Sequence, residues 1–166
     1  MKKGNRLSAP NKAVRTDRLD LRILDALSSD GRISMAELGR RVNLSSPAVA
    51  ERVQRLEEVG IITGYRAVID PRALGYALTA IVRVKPAPGQ LQRIPELALQ
   101  IPEISECHRI TGEDCFYLKI HLRSMDELAG LLDRFLAHGE TTTSIVNASP
   151  IPFRDPPAFT PEPAGG

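Results

Sequence analysis

Apolar residues along the chain first recur at helical spacing. Between Asp17 and Leu27 they fall at Leu19, Ile23, Leu24 and Leu27, one face of a helix that Asp17 is placed to cap. Breakers follow from Ser28 to Gly31. A second helix opens on the capping-box pattern Ser34-Met-Ala-Glu37 and turns Met35, Leu38 and Val42 inward. Asn43 to Ser45 makes a tight connection to a third, with Ser46 as expected N-cap, Pro47 at the first helical position and Val49, Val53 and Leu56 as its buried face. Gly60 is the expected C-cap. A packing helix, a short helix, a three-residue turn and a longer capped helix make a helix-turn-helix arrangement. The stretch Ile61 to Ile69 reads as extended, a small wing or linker strand, and Asp70-Pro71 marks a domain boundary.

Beyond Leu74 the period changes. Tyr76 to Val84 is β-branched and apolar and predicts a strand. Lys85 to Gly89 is a loop, and Leu91 to Gln100 is helix-like, with Pro95 either starting a short helix or kinking a longer one. Ile104 to Ile110 and Cys115 to Leu122 are strand patterns joined by a hairpin turn at Thr111 to Asp114. A second capping box, Ser124 to Glu127, opens a helix with Leu128, Leu131, Leu132 and Phe135 inward, and Thr142 to Ala148 supplies a last strand. The order β-α-β-β-α-β is the ferredoxin-like plan, an antiparallel sheet with both helices on one face. Residues around Ile81 and Leu118 look apolar enough to need cover on the other face, which predicts a dimer through sheet-to-sheet contact. The expected fold class is α+β. It divides into a mobile basic arm over 1–15, a winged helix-turn-helix domain over 16–62, a linker strand over 63–74, a βαββαβ domain over 75–150 and a Pro-rich tail over 151–166.

Composition narrows the functional classes. Of 166 residues 42% are apolar and 25% charged, enough for a folded core. No apolar run approaches the roughly 18 to 20 residues of a membrane span, and the Lys2, Lys3, Arg6, Lys12 and Arg15 segment lacks the apolar stretch of a secretory signal. The expected location is the cytoplasm, with the nucleoid. Two cysteines, Cys107 and Cys115, are too few for a disulfide framework and lack zinc-site neighbours; they read as small core residues, with Cys107 opposite Leu118. His108, His121 and His138 show no metal or catalytic spacing, so no metal, cofactor or catalytic residue is expected. Net charge is only +2, but the first 60 residues hold 12 Lys/Arg against 8 Asp/Glu and the remainder 10 against 12. A basic module joined to a mildly acidic one suggests that the first meets a polyanion.

The motifs Asp17-Arg-Leu-Asp20, Asp30-Gly-Arg-Ile-Ser34, Leu44-Ser45, Arg52-Val, Arg55-Leu-Glu57 and Gly64-Tyr65, followed by Asp70-Pro71, Leu74-Gly75-Tyr76, Pro102-Glu103-Ile104, Glu106-Cys107-His108 and Thr111-Gly112, resemble the Lrp/AsnC, or feast/famine, regulators over roughly residues 16 to 150. Each is weak alone; their order across two domains is what carries the resemblance. It implies a transcription regulator that binds double-stranded DNA as a homodimer, assembling to a tetramer or octamer, and responds to a small molecule, usually an amino acid. Alternatives are an enzyme on the same scaffold acting on a modified tetrapyrrole, with His108 and His121 as acid-base groups, and an architectural DNA-binding protein without effector.

On that reading Ser45, Ser46, Pro47 and Ala48 form the tip of the recognition helix, where short side chains allow close approach to the major groove. Arg52 and Arg55, one turn apart, would reach guanine or phosphate, unless they pair with Glu51 or Glu58 instead. Arg32, Arg40 and Arg41 would brace phosphates. In the second domain Thr111, Gly112, Glu113, Asp114 and Cys115 would meet the ammonium and carboxylate of an amino acid at a hairpin tip. The hydroxyl-rich run Thr141, Thr142, Thr143 and Ser144 would line the effector pocket from a neighbouring subunit, or form a polar edge strand.

Overall fold

The structure, a computed structural model, describes residues 16–156; the basic arm and the last ten residues of the tail lie outside the described residues. The chain forms two compact units, one of residues 16–67 with 153–156 and one spanning Val68–Pro152.

The first unit holds three helices, α1 (Arg18–Ser29), α2 (Met35–Val42) and α3 (Ser46–Glu58). Their inward residues, Ile23 and Leu27, Leu38 and Val42, and Val49, Val53 and Leu56, make one cluster with Ile33, as the helical periods predict. The N-cap of α1 is the expected one, while those of α2 and α3 depart from expectation. Asp17 caps α1 as part of a full capping box, its carboxylate accepting from the Asp20 N–H and Asp20 accepting from the Asp17 N–H. At α2 half of the expected box forms: Ser34 Oγ accepts from the Glu37 N–H, while the Glu37 carboxylate turns to Arg40 and Arg41. At α3 the N-cap is Ser45, one residue earlier than predicted, which leaves Ser46 and Pro47 as the first two helical residues. Proline remains tolerable there because N–H groups of the first turn have no intrahelical acceptor.

Val59 is the C-cap of α3, and Gly60 follows at φ 75°. The Ile61 N–H bonds to Leu56 O and the Gly60 N–H to Glu57 O, a Schellman motif that folds Ile61 back onto the core. Ile61 to Ile69 forms no strand, so the predicted wing is absent among the described residues. Ile61 and Ile62 pack against the core, and the segment after them joins no ladder among the described residues.

The second unit begins with a 3-10 turn (Arg72–Leu74) and continues as β1 (Leu78–Pro86), α4 (Arg93–Leu99), β2 (Ile104–Arg109), β3 (Phe116–Leu122), α5 (Met125–Leu136) and β4 (Gly139–Ile145). This is the βαββαβ plan, an antiparallel sheet in the order β2-β3-β1-β4. Pro95 is the third residue of α4 and starts a short helix, the first of the two alternatives. The last strand begins at Gly139, not Thr142, because β4 pairs with β1 as far as Pro86. Only glycine fits there, since a Cβ would stand 2.3 Å from Lys85 O.

Strand alternation sorts the sheet into two unlike faces. Ala80, Val82 and Val84 from β1 and Phe116, Leu118, Ile120 and Leu122 from β3 are buried under Ile94 and Leu97 of α4 and Leu128, Leu131 and Phe135 of α5. Leu118 is therefore core, not part of an uncovered apolar face as expected. The opposite face carries Thr79, Ile81 and Arg83, Tyr117, Lys119 and His121, Thr142 and Ser144, a mostly polar set. Cys107 does oppose Leu118, but on edge strand β2 it is exposed, not a core residue.

Candidate nucleic-acid interface and ligand site

In the first unit, Gly39 allows the connection from α2 to α3 to close tightly: a Cβ would meet Leu44 O at 2.6 Å, and the Leu44 N–H bonds to Gly39 O at 2.9 Å. Asn43 takes the left-handed conformation at φ 60° that the turn requires. The result presents Ser45, Ser46 and Pro47 exposed at the tip of α3, with Ala48 half-buried behind them. A capped helix tip with short side chains and the positive end of a helix dipole is suited to an anionic backbone. Arg32, Arg40 and Arg41 are also exposed. Glu37 holds Arg40 and Arg41 only in surface pairs, each worth at most ~1 kcal/mol. The guanidinium of Arg22 donates to Arg41 O at 2.6 Å, satisfying a carbonyl at the C-terminus of α2.

Arg52 and Arg55 pair with neither Glu51 nor Glu58. Arg52 Nη1 lies 2.7 Å from Asp17 Oδ2 and 2.8 Å from Asp20 Oδ1, and Arg55 Nη2 lies 2.5 Å from Asp20 Oδ2. Asp20 is 1% exposed and is the buried charged residue of this unit among the described residues. Burial pushes its carboxyl up, but hydrogen bonds from Arg55, the Asp17 N–H and Arg52 outweigh this and hold it below the usual carboxylate range. Asp17 is held low by the Asp20 N–H and Arg52. The Asp17-Arg-Leu-Asp20 motif gives Asp20 no role of its own; its position three residues after an N-cap aspartate, as the acceptor half of a capping box, is the signal that marks it.

In the second unit the hairpin residues Thr111, Gly112 and Glu113 are exposed at the tip, with Gly112 at φ 113°. Asp114 forms an ion pair with Arg83 at 3.1 Å, and the Cys115 N–H bonds to Val84 O. Arg83 pairs in register with Thr142 on its other side, so the two residues are neighbours on the open face. The hydroxyl run is split by the pleat. Thr142 and Ser144 share the open face with Arg83 and Ile81, whereas Thr141 and Thr143 pair with Val84 and Val82 on the helix-covered side. Further along the open face His121 sits between Thr79 Oγ1 and Ser105 Oγ, each 3.1 Å from a ring nitrogen, and a β-bulge between Ile104 and Glu106 brings Ser105 there. Burial, then Lys119, pushes the His121 imidazole down, against a smaller opposing pull from Glu106. His108 pairs with Glu106 instead, so the two histidines proposed as an acid-base pair take separate partners.

The AsnC-type helix-turn-helix domain model matches residues 17–57 and the Lrp/AsnC ligand binding domain model residues 79–155. The chain is 34% identical to the transcriptional regulator LrpC of Bacillus subtilis over 80% of its own length and 92% of that protein's, and LrpC's structure superposes with a TM-score of 0.79 at 33% identity, covering 82% and 97%. It is 37% identical to the leucine-responsive regulatory protein of Escherichia coli, over 72% of this chain and 75% of that one. A transcriptional regulator of Neisseria meningitidis solved with L-Met superposes with a TM-score of 0.79 at 27% identity, covering 88% and 97%. A helix-turn-helix unit followed by a βαββαβ ligand-binding unit defines a ligand-responsive, DNA-binding transcription regulator, not an enzyme. The chain belongs to the Lrp/AsnC family. No helix among the described residues is long and apolar enough to cross a membrane.

Proposed function

We propose that this regulator reads an operator through the tip of α3, residues Ser45, Ser46, Pro47 and Ala48, with Arg32, Arg40 and Arg41 on the flanking phosphates. The observation that carries this reading is the exposed, Ser45-capped tip, displayed by a turn that Gly39 and Asn43 close. Short side chains there let the helix enter the major groove deeply, and phosphate contacts fix its register. Arg52 and Arg55 stand further along the same helix with their guanidinium forks turned onto Asp17 and Asp20.

The effector is an amino acid, a class supported by the named ligand of the Neisseria structure and by the leucine-responsive relative. Its charged groups meet the Thr111, Gly112, Glu113, Asp114 and Cys115 hairpin, where Arg83 offers a guanidinium to a carboxylate and Asp114 a carboxylate to an ammonium. Thr142 and Ser144 are the hydroxyls on the same face; Thr141 and Thr143, pointing the other way, contribute through packing. The active species is a homodimer able to assemble further. Val68, Ile69, Leu99, Ile145 and Ile151 are exposed apolar side chains of the second unit that association would cover. Effector binding shifts the balance between assemblies and so the spacing of paired recognition helices.

The deciding experiment measures binding to the DNA upstream of the protein's own gene against unrelated DNA at fixed salt, with and without each amino acid, with light scattering alongside. Specific binding tighter than nonspecific by ~10³ or more, changed by one amino acid together with particle mass, is the expected result. Indiscriminate binding without effector response would favour the architectural alternative.

A further inference from the structure

Two arginines on a recognition helix would ordinarily be counted as phosphate ligands, yet here both are already committed. Arg52 is shared between Asp17 and Asp20, and Arg55 takes the second oxygen of Asp20. The arginine side chains remain 29% and 41% exposed, so they border solvent while their charge is answered from beneath. The groove of about 750 Å³ over this cluster is lined by four carboxylates, Asp17, Asp20, Glu51 and Glu58, against two guanidiniums, leaving it formally negative. A phosphate entering it would meet repulsion, not a cationic stripe. The attractive part of α3 is thereby confined to its first turn, at Ser45 to Ala48.

We propose that Asp20 is a specificity-setting positioning residue: it clamps Arg52 and Arg55 away from the DNA backbone and so suppresses sequence-independent binding. Asp17 assists at Arg52 alone. The capping box places both carboxylates at the start of α1, and the helical spacing of Arg52 and Arg55 brings their forks to that one point. Base reading is then left to the tip of α3 and phosphate binding to arginines outside the clamp. This inference rests on the DNA-binding reading above and adds a cause for selectivity that the tip alone does not supply.

The test uses the full chain and a short mixed-sequence duplex, following the observed association constant between about 50 and 200 mM salt. Asp20→Asn keeps the size of the side chain and an acceptor oxygen but removes the charge that holds both arginines. The expected result is tighter binding and a slope of log K against log salt steeper by about one to two units, close to 0.9 for each phosphate newly neutralised. Asp17→Asn, which retains helix capping, should steepen it by about half a unit to one unit. Asp25→Asn removes equal charge from an exposed site on α1 outside the groove and should leave the slope near that of the unaltered protein. Mere damage to the fold would weaken binding and flatten the slope, the opposite sign. The clamp is overturned if both groove variants keep or lower the slope, or if Asp25→Asn steepens it as much as Asp20→Asn. Should Asp20→Asn not fold by circular dichroism, Asp17→Asn decides alone. Failure of the unaltered protein to bind any duplex would instead remove the DNA-binding reading.

Discussion

The two units solve the problem of a small core with different chemistry. The ligand-binding unit packs Val82, Val84, Phe116, Leu118 and Ile120 of its sheet beneath two helices, with no charged residue among its buried described positions. The helix-turn-helix unit, with fewer apolar residues to bury, places Asp20 at 1% exposure and answers it with two arginines from the recognition helix. Burying ions is seldom the cheapest way to stabilise a fold, because desolvation offsets most of the attraction. The charged core is better understood as the structural side of a surface that must control where it is positive.

That contrast can be broken experimentally. The largest effect expected in the helix-turn-helix unit is from Asp20→Ala, which removes the shared partner of two partly solvated arginines and should cost about 2–3 kcal/mol in denaturant unfolding, read by amide exchange resolved to each unit. Leu118→Ala is the counterpart in the apolar core, with an expected loss of about 3 kcal/mol confined to the second unit. If instead both variants melt both units equally, the division into independent cores is wrong. Ser34→Ala should remove about 1 kcal/mol from the first unit through loss of the α2 cap.

A pH series tests the charged cluster directly. Because Asp17 and Asp20 are held low in the fold, they contribute stability above the ordinary carboxylate range that is lost as pH falls through their lowered values. Acid titration of the unfolding free energy should therefore fall less steeply in Asp20→Asn. At the other end Tyr65, raised to about 12 by burial and by its hydrogen bond to Glu57, contributes stability lost as pH rises from about 10 through that value. Tyr65→Phe should remove this alkaline slope with the smallest effect of the set at neutral pH.

Where the physics is local, the sequence is legible. Ser34, Ser124 and Asp17 cap the helices they precede, because a side-chain oxygen satisfying a nearby N–H needs only neighbours. The hairpin at Thr111 to Asp114 and the register of Cys107 with Leu118 follow from turn length. The shift of the α3 cap to Ser45 shows the limit of such rules: of two adjacent serines, the one chosen depends on where the turn from α2 delivers the chain. That is set by Gly39 against Leu44.

Two-domain order, helix faces, strand succession and, through resemblance, the family are all legible in the residues alone. Tertiary structure alone decided which side of the sheet Leu118 occupies, since alternation marks two faces without saying which one the helices cover. It alone placed Thr142 and Ser144 beside Arg83 while turning Thr141 and Thr143 away, and brought Ser105 to His121 through a bulge. It also decided the fate of Arg52 and Arg55. Their partners Asp17 and Asp20 lie more than thirty residues earlier in the chain, and an ion pair of that separation exists only once helix packing has closed the intervening loop.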